Sequence, residues 1–205
     1  MGLFKNFKNL LDEATGERHD LDKNLEFDNV FTIKYLTDPE GEYRFNIFDD
    51  GKIVYRLRNW KNGKACFEDE NGNVIYTFKY EVLDLDLSQP IVRRGLSIDD
   101  KYLFYSNNKF SNEYFIKEND NTIRHLLVGG QKDTLLGKLL NTLPYNVYDE
   151  NENPLATANK ERRSQAEGKE MIAYQDFSVK DKKDILSIAL IVFMASVQHP
   201  DRIKL

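Results

Sequence analysis

One apolar run, DILSIALIVFMASV at residues 184–197, limits what this chain can fold into more than any other feature. As a helix, residues 185–197 span roughly 20 Å, short of the about 30 Å of bilayer hydrocarbon. A transmembrane span is therefore not expected. On a helical wheel its apolar residues occupy every direction, and its two polar members, Ser187 and Ser196, fall on opposite sides. A helix without a polar face belongs inside protein or lipid. Asp181 and Asp184 supply a cap and a first-turn acid, and Pro200 follows the end. The expectation is a buried central helix, with Ile185, Leu186, Ile188, Leu190, Ile191, Val192, Phe193, Met194 and Val197 enclosed by the chain's own fold. The rest of the sequence must wrap around it.

That remainder reads as β-structure from Phe27 onward. Phe31, Ile33 and Tyr35 alternate with polar residues, as do Tyr43, Phe45 and Ile47, and turn signals separate the runs at 39–41 and 49–51. A polar mark recurs between runs: DENGN at 69–73, KENDN at 117–121 and DENEN at 149–153. Gly and Asn tolerate positive φ, so these are expected to be hairpin turns. Their acid and amide side chains resemble a calcium loop only loosely. None has the Asp-x-Asp-x-Asn-Gly spacing with a terminal Glu, so no metal site is expected. The turns are unequally spaced, which argues against a propeller or solenoid. A meander closed into an antiparallel barrel covers a central helix without leaving exposed edges. The last strand is expected at 171–179.

Three segments depart from the pattern. Near the N-terminus, Leu3, Phe4, Phe7, Leu10 and Leu11 share a helical face opposite Lys5 and Lys8, which reads as a short amphipathic helix followed by an exposed link. Residues 1–23 are assigned to this appendage and 24–205 to the barrel domain. The segment lacks the h-region and cleavage site of a secretory signal, and Asn6 stands where myristoylation calls for a hydroxyl residue. In 133–143, Leu135, Leu136, Leu139, Leu140 and Leu143 predict a covering helix. Residues 159–169 are polar and read as a long hairpin loop or an exposed helical turn, with a basic cluster of Lys160, Arg162 and Arg163.

Chemistry is excluded more readily than assigned. With 29 Lys and Arg against 34 Asp and Glu, the net charge of -5 disfavours a polybasic nucleic-acid binder. Cys66 is the sole cysteine, so no intrachain disulfide or CxxC motif exists, and a free thiol suits a reducing cytoplasm. No basic neighbour in sequence activates it, and a structural thiol is expected. No GxSxG, HExxH, P-loop or dinucleotide fingerprint occurs, and no cofactor is expected. Of the three histidines, His19 lies in the link, His199 follows the helix where it would cap carbonyls, and His125 is expected on a strand facing solvent. Asp84 and Asp86 fall on one strand face opposite Leu83, Leu85 and Leu87, as a solvated face rather than a catalytic pair.

The strand-turn-strand units FNIFDDGKIVYRLR at 45–58, CFEDENGNVIYTFK at 66–79 and YNVYDENENPLATANK at 145–160, followed by the terminal apolar run, resemble the tubby C-terminal-like superfamily. Within it, the chain is similar to the bacterial and plant LURP-one-related proteins, relatives of the phospholipid scramblases, over residues 24–199. The resemblance implies a closed antiparallel β-barrel around a hydrophobic C-terminal helix, a mainly β (α+β) fold. It also brings phosphoinositide binding by tubby-like domains, and membrane and calcium association by scramblases. The cysteine-rich acylation run and proline-rich N-terminal region of scramblases are missing here.

The expected function is a non-enzymatic cytoplasmic interaction module of unassigned role, with anionic lipid at the inner membrane face as one candidate ligand. Leu3, Phe4 and Phe7 are its candidates for insertion, and Lys5, Lys8, Arg93, Arg94, Lys160, Arg162 and Arg163 for anionic headgroups. The alternatives are a small-ligand protein or enzyme with a pocket at the barrel mouth, and a protein-partner scaffold using the Leu135 to Leu143 face.

Overall fold

The computed structural model describes residues 21–22, 24–38, 41–84, 93–105, 113–128, 144–159 and 162–198, with the backbone alone for 80–84, 93–95 and 197–198. Alternation in sequence becomes an inside and an outside. β1 (Asn29–Tyr35) buries Phe31, Ile33 and Tyr35, and β2 (Tyr43–Asp49) buries Phe45 and Ile47. β3 (Lys52–Arg58), β4 (Lys64–Asp69) and β5 (Val74–Asp84) add Leu57, Phe67 and Phe78. β6 (Arg93–Ile98), β7 (Tyr102–Tyr105), β8 (Glu113–Glu118) and β9 (Asn121–Val128) contribute Ile98, Phe104, Ile116 and Leu126. β10 (Tyr145–Asp149) and β11 (Pro154–Ala158) follow with Val147 and Ala156.

Each of these strands pairs antiparallel with the next. The circuit closes through β13 (Glu170–Val179), which pairs with β1 from Asn29↔Val179 to Lys34↔Tyr174 and with β11 at 178–179. The expected barrel is present. β12 (Arg163–Glu167) pairs with β13 alone and stands outside the circuit, which the other twelve of the thirteen strands complete. It replaces the loop or helical turn expected at 159–169. All five of its residues are exposed, so no apolar alternation marks it as a strand.

The lumen holds α1 (Ile185–Gln198). Ile188 through Ala195 are at most 5% exposed, Leu186 is buried and Ile185 is partly buried. Val197 lies in the helix, its side chain outside the described residues. Burial on every side of the helix matches the absence of a polar face, and each large apolar side chain so enclosed contributes about 2 kcal/mol. Phe193 meets the rings of Phe78 on β5, Phe104 on β7 and Trp60 in the β3–β4 connection. The two serines are satisfied locally: Ser187 Oγ donates to Asp184 at 2.7 Å and Ser196 Oγ to the Phe193 carbonyl at 2.7 Å. Asp184 caps the helix, accepting the Ser187 N–H at 3.2 Å. Asp181, expected as the cap, instead heads the preceding turn through the Lys183 N–H, so Asp184 takes the cap position and no acid stands in the first turn.

The repeated polar marks are turns, and two are copies of one another. Asp69 Oδ1 accepts the N–H groups of Asn71 and Asn73 at 2.9 and 2.8 Å, and Asp149 Oδ1 accepts those of Asn151 and Asn153 at the same distances. The left-handed residue is Gly72 in the first and Glu152 in the second. Hydrogen bonds from the Asn73 and Asn153 side chains, then from these backbone groups, hold both aspartates below the usual carboxylate range. Carboxylates so engaged are turn-formers. Asn119 and Asp120 form the third turn with φ 47 and 66, the left-handed pair that a two-residue hairpin requires.

Candidate functional site

The barrel has two unlike ends. Hairpin turns after β2, β4, β6, β8 and β10, together with the start of α1, gather at one end, here the turn end. It is acidic: Asp50, Asp69, Asp99, Asp120 and Asp149 all sit in its turns. The other, the loop end, receives the C-terminal end of α1 and the longer connections. There the described chain breaks after 84, 105 and 128 and resumes at 93, 113 and 144.

A buried polar cluster closes the lumen at the loop end. Tyr35 donates to Gln175 Oε1 at 2.7 Å and accepts from Arg162 at 3.2 Å, with the guanidinium 4.2 Å from the Tyr35 ring centroid. Arg44 reaches the Ser196 carbonyl at 3.4 Å, and Tyr145 donates to the Ile191 carbonyl at 3.2 Å. Arg44 thus faces the negative end of the helix dipole. Burial pushes the Tyr35 phenol up to about 12, against the opposing pull of Arg162, and raises Tyr145 well above its ordinary value. These groups fill the described part of the lumen at this end.

Outside, residues 21–28 form a strap across the seam where β11 meets β13. Asn146, fully buried, donates to the Asp22 carbonyl at 2.9 Å and accepts from Thr157 at 2.7 Å. Asn159 donates to the carbonyls of Asp22 and Leu25, and Ser178 accepts the Phe27 N–H at 3.0 Å. A cavity of about 290 Å³ lies beneath the strap, lined by Leu25, Glu26, Thr157, Asn159 and Asp176. A wider groove of about 560 Å³ runs over β1. Its charges neutralise one another, Lys34 with Glu167 at 2.5 Å and Arg163 with Asp176 at 2.9 Å.

His125 does not face solvent as expected. Its cross-strand neighbours are Phe115 and Tyr148, and their rings leave the side chain 16% exposed. Its Nδ1 lies 3.0 Å from Glu113 Oε1. Cys66 is partly buried on β4 and free. Among the described residues, no group of three or more His, Cys, Asp or Glu side chains is placed to hold a metal ion, and no helix is long and apolar enough to cross a membrane.

The sequence-predicted site residues fall into three groups. Leu3, Phe4, Lys5, Phe7, Lys8 and Lys160, with the leucine helix at 133–143, lie outside the described residues, as do His19, Asp86 and His199. Arg93 and Arg94 begin β6, six strands around the barrel from β13 in either direction. Arg162 and Arg163 are both engaged, Arg162 on Tyr35 and Arg163 on Asp176 and the Tyr174 ring. The starts of β6 and β12 stand on opposite sides of the barrel, so Arg93 and Arg94 are not brought together with Arg162 and Arg163. Lys61 and Lys64, exposed in the β3–β4 turn at that end, make no ion pair among the described residues. Isolated lysines beside Asn62-Gly63 read as ordinary turn residues, and only the barrel's polarity gives them a position.

An X-ray structure of a protein from Arabidopsis thaliana is similar over 87% of this chain and 97% of that one, at 15% identity and a TM-score of 0.44. No protein-family model matches the chain, and no curated protein matches it.

Proposed function

We propose that this chain is a tubby C-terminal-like barrel of the LURP-one-related kind that works as a non-enzymatic interaction module, its loop end against an anionic membrane surface on the cytoplasmic side. One observation carries the reading: the described Lys61 and Lys64 and the start of β6 stand at one end of the barrel, opposite the acidic turns. Asp22, near the start of the described residues, is held at that end by Asn146 and Asn159. The backbone of Arg93 and Arg94 forms that start of β6, and Lys61 and Lys64 are exposed. The acidic turns stand at the far end, where an anionic surface repels them least. Each basic residue near such a surface contributes about 1 kcal/mol, so a handful suffices even on a protein of net charge -5. A lumen filled by α1 favours work at the outer surface over chemistry inside.

Co-sedimentation with phosphatidylserine-containing and purely phosphatidylcholine vesicles tests this. The intact chain is expected to bind the anionic vesicles selectively and to lose binding when residues 1–16 are removed. The Lys61→Glu, Lys64→Glu double variant is expected to weaken it. The same charge change at the turn end, Lys52→Glu with Lys180→Glu, leaves it intact. Absence of binding by the intact chain overturns the lipid reading, and equal loss from both double variants overturns the polarity.

A further inference from the structure

β12 is the strand the barrel leaves unmatched. One edge pairs with β13 from Arg163↔Tyr174 to Glu167↔Glu170. The other meets no strand among the described residues. The hairpin turn fixes which backbone groups that edge offers. Gly168 has φ 62 and the pair 167–170 closes a two-residue turn, so it is a hydrogen-bonded pair. Antiparallel ladders alternate. Arg163, Gln165 and Glu167 therefore direct their amides and carbonyls to β13, while Ser164 and Ala166 direct theirs outward.

The strand's sequence, RSQAE, is its own complement when reversed about Gln165. We propose that β12 is a self-association edge, to which a second copy of this chain adds its own β12, antiparallel, about a two-fold axis at Gln165. Ser164 then faces Ala166 of the other copy in a hydrogen-bonded pair, twice over, which uses every outward N–H and C=O. Arg163 faces Glu167 of the other copy in the non-hydrogen-bonded positions, where side chains approach closest. A shift by one residue breaks the hydrogen-bond parity. A shift by two separates both charge pairs.

The side chains are already held for this. Glu167 bonds Lys34, and Arg163 bonds Asp176. Pairing joins them into one row of alternating sign, from Lys34 through Glu167 to Arg163 and Asp176 of the other copy. The contact is isologous, so it closes as a dimer and does not propagate into a filament. Nothing in it depends on lipid.

Sedimentation equilibrium of the intact chain over a concentration series tests the proposal. A monomer–dimer equilibrium is expected, weakened about tenfold or more by Arg163→Glu alone and by Glu167→Lys alone, because each change places like charges opposite one another at two positions. Mixing the two variants restores dimers, since each then meets its opposite. Ala166→Pro removes an outward N–H without touching the β13 ladder and abolishes association. Matched thermal melts confirm that the variants remain folded. A wild-type chain that stays monomeric throughout overturns the proposal. So does a dimer that survives Ala166→Pro, or two single variants that fail to complement when mixed.

Discussion

Truncating Phe193 to alanine tests the central-helix architecture most directly. Phe193 is 3% exposed at mid-helix, stacked on Phe78 at 5.2 Å between centroids, edge-on to Phe104 at 5.5 Å and to Trp60 at 6.2 Å. Buried Phe→Ala changes cost 3–5 kcal/mol through lost transfer energy and the cavity left behind. A wall of three other rings relaxes poorly into that space, so about 4 kcal/mol is expected. At 2–4 °C per kcal/mol for a domain of this size, the melting midpoint falls by about 8–16 °C. Circular dichroism during thermal and urea unfolding measures it, with an unchanged urea slope identifying a loss of native stability alone. Val74→Ala provides the contrast: the side chain is 54% exposed, and the change stays within about 0.5 kcal/mol. A Phe193→Ala loss below about 1 kcal/mol would refute enclosure of the helix by the strands.

Two further outcomes follow from the buried polar groups. Asn146→Ala leaves the buried Thr157 hydroxyl without its acceptor and the Asp22 carbonyl with Asn159 alone, which costs about 1–3 kcal/mol; amide exchange is expected to accelerate in 24–28 before it does in the β1–β2 hairpin. Tyr35 titrates near 12 when folded and near 10 when unfolded. Its contribution is therefore complete below pH 10 and drains away as pH rises toward 12, on the order of 2–3 kcal/mol. Ultraviolet titration should show this phenol, with Tyr145, ionising only as the protein unfolds, and Tyr35→Phe flattens the alkaline loss.

The strands that read clearly from sequence are those with one wet face and one dry one. Phe31, Ile33 and Tyr35 alternate because β1 has water on one side and α1 on the other. The Asp-Glu-Asn turns were legible because their backbone geometry demands such residues. β12 was not, since a strand exposed on both faces carries no period. Glu68, Asn146 and Gln175 were equally silent: each is fully buried, and each is tolerated only through partners distant in sequence or in the circuit. Arg58 and Tyr43 cover Glu68, Thr157 and Asp22 engage Asn146, and Tyr35 holds Gln175. Arg162 shows the same limit at the candidate site. In sequence it stands in a basic cluster; in space it lies over an aromatic ring that is 127 residues away along the chain.

A plug encoded after its own container also sets the order of folding. β1 and β13 close the circuit across about 150 residues, and α1 follows both. While synthesis proceeds through β11, hairpins form with inward faces that have nothing to cover, because the helix that fills the lumen has not yet been made. Closure of such distant pairs is slow, and exposed apolar faces and unpaired edges in the interval favour aggregation. The nascent chain of this protein is therefore most prone to aggregate until residue 198 has cleared the ribosome.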